Sequence, residues 1–294
     1  MLVAICILAI SLKLPVYGLE EYNLPLTDET QSQINRFLVQ YPQYEDYLMG
    51  TLSELKESTI ATNIESVNEL IRDTIEQLCN FKQQGDIEYK SVLENHEKQV
   101  AAHKTKSKSV KNEAYDMLLG NYTMGTYIVE NAGCPNAARY MRHAVVPEGL
   151  DMTPSTLYDT NTDWAEFLVY DCYDFYGQVF SQFEEEILGM GEESGTVTGS
   201  FAYTSENSSL DALASLHAVD YIVTFIQADN GYNVIYAIND TFDFDWNEYE
   251  NFAIDFANNY CYAMQINGYI KPFQIIITVT EGFDEEEDTE DSSL

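Results

Sequence analysis

"YIVTFIQADNGYNVIYAI", residues 221–238, is the stretch on which the fold class turns. Two strand-like runs, 221–227 and 232–238, flank Asp229, Asn230 and Gly231. Asn-Gly tolerates the positive φ that a tight turn requires, so the stretch reads as a β-hairpin. On its second arm Tyr232, Val234, Tyr236 and Ile238 share one face, and Phe242, Phe244 and Trp246 keep the same parity. Asn239, Thr241, Asp243, Asp245 and Asn247 fall on the other face, which the alternation predicts to be solvated.

Working outward, "GTVTGSFAY" (195–203) and "FQIIITVT" (273–280) read as further strands, the second with Phe273, Ile275, Ile277 and Val279 on one face. Before them, Trp164, Leu168, Cys172, Phe175, Val179, Phe183 and Ile187 form the apolar stripe of one long helix over about 163–190. After the hairpin, Asp245 and Glu248 make a capping-box pattern. Tyr249, Ala253, Phe256, Tyr260 and Ala263 follow at helical spacing.

The N-terminal third is helical. "TDETQSQINRFLVQ" (27–40) opens on a capping Thr or Asp and is checked near Pro42. Ile60, Ile64, Val67, Ile71, Thr74, Leu78 and Phe81 line a second stripe. Gly85 and Asp86 then read as a C-cap and the next N-cap, which predicts a helical hairpin whose second arm carries Tyr89, Leu93, His96, Val100 and His103. The basic "HKTKSKSVKN" (103–112) reads as a solvated linker.

The expected fold is therefore α+β: a helical N-terminal hairpin or bundle (19–112), then an α+β region (113–282) with an antiparallel β-sheet packed by helices. The like-charge run at the end is expected to form a disordered acidic tail, 283–294. The opening "MLVAICILAISLKLPVYG" (1–18) reads as a secretory signal peptide. Its apolar run, Leu2 to Leu12, is shorter than the roughly 20 residues a membrane span needs. Later apolar runs are strand-length, so no membrane span is expected.

Removal of that leader takes Cys6 and leaves Cys79, Cys134, Cys172 and Cys261. An even count in a secreted chain favours two disulfides, with three possible pairings. No CxxC pair suggests zinc or thioredoxin-like chemistry. Sequons at Asn121, Asn207 and Asn239 add N-glycosylation to the same expectation.

The formal net charge is −35, from 14 Lys and Arg against 49 Asp and Glu. Beyond His143 the only Lys or Arg is Lys271. Such a surface repels phosphates, so no nucleic acid is expected as a partner, and cationic ligands or extracellular proteins are favoured.

No catalytic motif emerges. His96 and His103 are seven residues apart, about 10.5 Å along a helix, too far for one zinc. Both fall on an apolar stripe and read as packed histidines. His143 has basic neighbours, and His217, with Ser215 and Asp220 near it in sequence, lacks a nucleophile elbow. Asp171 and Asp174 share the long helix, but helical phase leaves Asp174 solvated and Asp171 a buried hydrogen-bonder at the stripe's edge. The 22 tyrosines read chiefly as amphipathic packing.

Asp243, Asp245 and Asn247 resemble the start of a calcium loop, yet position 6 is Glu248 and position 12 is Ile254 where an EF-hand needs Gly and Glu. A non-EF calcium site on these three residues is the one metal expectation; no other cofactor is implied. Function is then expected to be that of a secreted, acidic, disulfide-bonded glycoprotein acting by binding and without a catalytic site. An extracellular hydrolase with an unfamiliar carboxylate or histidine site, and a calcium-stabilised module, are the alternatives.

Overall fold

A computed structural model describes residues 19–106, 113–146, 152–192, 194–229, 231–245 and 252–284. The leader with Cys6, the linker segment 107–112, Asn230, the residues Trp246, Asn247 and Glu248, and the acidic end from 285 lie outside the described residues.

The chain opens with α1 (Asp28–Gln40), whose first turn is capped by the Thr27 hydroxyl accepting from the Thr30 amide. Then come α2 (Glu45–Lys56), the 43-residue α3 (Ile64–Lys106), α4 (Glu113–Asn131) and α5 (Pro135–His143). A short strand β1 (Leu157–Thr160) leads to α6 (Asp163–Glu166), a π-helical turn (Phe167–Asp171) and α7 (Tyr173–Glu186). The rest is β2 (Gly195–Ala202), α8 (Leu210–Ser215), β3 (Ala218–Ala228), β4 (Gly231–Phe242), α9 (Phe252–Ile266) and β5 (Phe273–Asp284).

The fold is α+β. Five strands form one sheet in the order β1-β5-β4-β3-β2. The hairpin stands as the alternation predicts: β3 and β4 pair antiparallel from Asp220↔Asn239 to Ala228↔Gly231. Gly231 takes the positive φ, 141°, that a side chain would resist. The sheet is mixed where an antiparallel one was expected, because β1 joins the edge parallel to β5. β5 keeps its pairing with β4 as far as Asp284, so the strand runs two residues into the expected tail.

Helices cover both faces of the sheet. Phe175 and Phe183 of α7 pack with Tyr236, Ile238, Phe273 and Ile277 on one side. On the other, Leu48 and Leu52 of α2 and Ile71 and Leu78 of α3 pack with Ile222, Ile226, Ile235, Ala237 and Ile276. The face of β4 expected to meet solvent is therefore a core face. The cue is present in "VIYAI" (234–238), which is apolar at both parities, as a strand buried on both sides must be.

Gly85 is not a cap. Helix α3 runs through it without a break, so the expected helical hairpin is a single long helix. What the missing side chain allows is close approach: a Cβ built on Gly85 would lie 2.5 Å from Asn239 Nδ2 on β4. The expected long helix over 163–190, in contrast, is broken. Cys172 leaves helical geometry at φ −94° and ψ 80° after the π-helical turn. The phase shift leaves Asp171 exposed instead of buried, alongside the exposed Asp174.

Cys79, Cys134, Cys172 and Cys261 are all free thiols, and this overturns the expected pair of disulfides and with it the reading of a disulfide-bonded protein. The sheet separates Cys79, which packs against the α1–α3 core, from Cys172 and Cys261, which lie in the opposite core, and Cys134 is buried at the start of α5. Cys134, Cys172 and Cys261 are each at 3% exposure, and the Cys172 thiol donates to the Asn207 carbonyl at 3.0 Å. Burial pushes the Cys261 thiol up to about 12. No described helix is long and apolar enough to cross a membrane.

Candidate functional site: an acidic cleft at the end of β4

The antiparallel register sets the start of β3 beside the end of β4. His217 and Ala218 are thereby brought next to Asn239, Asp240 and Thr241. Past Gly85, α3 adds Glu88 and Val92 to the opposite wall, and α9 adds Asn258. With Asp243 and Asp245 these residues enclose a cleft of about 460 Å³.

The segment after β4 is held by side chains of α9. The Gln265 amide clamps Phe244 from both sides, accepting from its N–H at 3.0 Å and donating to its carbonyl at 2.9 Å. Asn258 Nδ2 donates to the Asp245 carbonyl at 2.8 Å. The carboxylates are thus presented by a fixed backbone.

Burial dominates the electrostatics. It pushes the Asp240 carboxyl up to about 7, opposed by the Thr241 N–H and reinforced by the charge of Asp243. Only a margin of Asp240 reaches solvent at the cleft floor, and protein surrounds it otherwise. Asp243 is likewise raised to about 7 by burial and by Asp245 beside it. Glu88 is raised by burial and by Asp220. His217 is lowered, chiefly because the cleft walls dehydrate its imidazole although the residue as a whole meets solvent; Asp245 partly offsets this. In their ionised forms these carboxyls can hold a cation. Among the described residues no Lys or Arg lines the cleft.

Two of the residues singled out for calcium, Asp243 and Asp245, line this cleft; Asn247 lies outside the described residues. Among the described residues no three His, Cys, Asp or Glu side chains converge as metal ligands. Among the described histidine side chains, only His217 belongs to the site. His96 is buried on α3 at 4% exposure. His143 shares a hydrogen bond with the Ser155 carbonyl (2.8 Å) and stands edge-on to Phe273. The His103 side chain lies outside the described residues.

Of the sequons, Asn239 has 5% exposure and packs against Gly85. The Asn207 amide is used locally, accepting from Thr204 N–H and donating to the Ala202 carbonyl. Asn121 is exposed on α4.

Sequence reasoning missed Glu88, Asp240 and Asn258. For Asp240 a signal existed: it shares the parity of Tyr236, Ile238 and Phe242, so a carboxylate stands in an inward-facing row. No such cue marks Glu88 or Asn258, which arrive from helices remote in sequence.

The chain matches no family model, no curated protein and no solved structure.

Proposed function

We propose that the protein binds a cationic ligand, an organic amine, in the acidic cleft. The observation that carries this reading is the convergence of Glu88, Asp240, Asp243 and Asp245 on one cavity with no Lys or Arg among its described lining residues. An ammonium group would find ionised carboxylates in a partly dehydrated site, where charge-assisted hydrogen bonds are strong. Val92 and Ala218 supply an apolar wall for the ligand's carbon chain. The cavity volume suits a small organic ligand and far exceeds what one bare metal ion occupies.

Because Asp240 and Asp243 must give up protons to receive a cation, binding strengthens as pH rises through about 7 and releases protons. Titration calorimetry with a diamine such as putrescine, run at pH 6 and pH 8 in buffers of different ionisation heat, tests this. Saturable, salt-sensitive binding, tighter at pH 8 and about tenfold weaker in Asp240→Asn or Asp243→Asn, is expected. A parallel titration with calcium measures whether the site prefers a hard divalent ion. Diamine affinity untouched by both substitutions would refute the reading.

A further inference from the structure

A second cavity, of about 610 Å³, runs between α1 and α3 and has a different chemistry. Gln33, Arg36, Phe37 and Gln40 recur at helical spacing on α1, with Tyr41 just beyond. Glu69, Arg72, Asp73, Glu76 and Cys79 face them from α3. The four arginines of the chain divide sharply. Arg139 is paired with Asp159 and Arg142 with Glu130. Arg36 and Arg72 both line this groove, and neither forms an ion pair among the described residues, although three carboxylates share the same walls. The Arg36 Nε donates to the Ser32 carbonyl of its own helix (3.2 Å), which leaves the two terminal guanidinium nitrogens for another acceptor.

Two further observations shape the ligand. Gln33 Oε1 is enclosed without a hydrogen-bond partner, so a turn of the Gln33 side chain into the groove it lines would give this unsatisfied acceptor an N–H donor. Phe37 is 4% exposed and packs on Tyr41 with ring centroids 5.3 Å apart, giving an apolar aromatic floor. We infer that the α1–α3 groove binds a carboxylate that also carries an N–H donor and an apolar body, the chemistry of a peptide C-terminus or an N-acyl amino acid. Arg36 and Arg72 take the carboxylate, Gln33 accepts the N–H, and Phe37, Tyr41 and Ile75 receive the side chain. Because three carboxylates share these walls with the two guanidiniums, the attraction for an acid comes from direct charge-assisted hydrogen bonds to Arg36 and Arg72 and not from the field of the groove.

The test uses the full chain and N-acetyl-L-phenylalanine, followed by amide chemical-shift changes. Its carboxamide analogue lacks the charge, and 3-phenylpropionate lacks the N–H. Saturable shifts on α1 and α3 are expected, with the carboxamide binding about tenfold more weakly. Arg36→Gln and Arg72→Gln should each weaken the acid to a similar degree while circular dichroism stays unchanged. Gln33→Met should erase the preference over phenylpropionate. A carboxamide that binds as well as the acid, or shifts that survive both arginine substitutions, would overturn the inference. A C-terminal tetrapeptide ending in Phe separates the two sources: binding equal to or tighter than that of the single residue assigns the groove to peptide ends, and weaker binding assigns it to the free acyl amino acid.

Discussion

Gly85 and Asn239 meet where the long helix crosses the sheet, with space between them for no side-chain carbon: a Cβ on Gly85 would stand 2.5 Å from the Asn239 amide nitrogen. This approach closes a loop that takes in about half the chain, and Glu88, one turn on, thereby reaches the acidic cleft. Gly85→Ala gains up to about 1 kcal/mol of helix propensity but must push the buried Asn239 side chain out of its packed position, an overpacking cost of about 1–3 kcal/mol. Overpacking outweighs the propensity gain, so the variant should melt lower. Gly120→Ala on α4 meets nothing within 4 Å and should melt higher by the propensity gain alone. Thermal melts of the two variants side by side check the contrast; equal shifts would remove the packing argument.

Asp240 and Asp243 make stability depend on pH in one direction. Their folded pKa of about 7 lies above the ordinary carboxylate value of about 4 that the unfolded chain keeps. Between those values the folded state holds protons that the unfolded state has released. Their contribution is therefore fully present below about pH 4 and is lost as pH rises through about 7. Denaturation midpoints measured from pH 5 to 8 should fall across that window. In Asp240→Asn/Asp243→Asn the fall should be markedly shallower, and an unchanged slope would count against the two buried carboxyls as its source.

Tyr47 of α2 shares a 2.8 Å buried hydrogen bond with Thr224 of β3, which in turn bonds Thr196 at 3.0 Å. Tyr47→Phe should cost about 1 kcal/mol, because Thr224 retains Thr196 as a partner. Truncation of the fully buried Phe175 to Ala should cost about 3–5 kcal/mol. Urea denaturation distinguishes the two sizes. A Tyr47→Phe/Thr224→Val pair that costs less than the sum of its parts would confirm the direct coupling.

The four free thiols should differ in reactivity. Cys79 is half-buried, whereas Cys134, Cys172 and Cys261 are enclosed. Burial raises all four above the ordinary thiol range, so none is an activated thiolate. Alkylation of the native, unreduced protein should label Cys79 first, and the other three only on unfolding, as read by peptide mass spectrometry. A pair that stays unlabelled until reductant is added would reinstate a disulfide.

Local patterns determined a good deal. The Asn-Gly turn between two strand-like runs, the Thr27 cap and the strand at 195–202 are short-range features, set by backbone sterics and hydrogen bonds within a few residues. The helical stripe from Val67 to Phe81 is legible for the same reason. Asp243 and Asp245 stood out by their own letters. What the sequence could not supply was the third layer. Alternation along β4 shows two faces but not what covers each, and only the crossing of α3 turned Asn239 from a solvated sequon into a packed residue. The same crossing converts Gly85 from an apparent helix end into a contact, since glycine answers equally to positive φ and to close approach. Cysteine parity states how many bridges could form, whereas distance decides whether any do, and the sheet stands between Cys79 and both Cys172 and Cys261. The acidic cleft is a tertiary product in the same sense. Its residues come from α3, β3, β4 and α9, and its neutral-range carboxyls exist because those elements together remove water from Asp240 and Asp243.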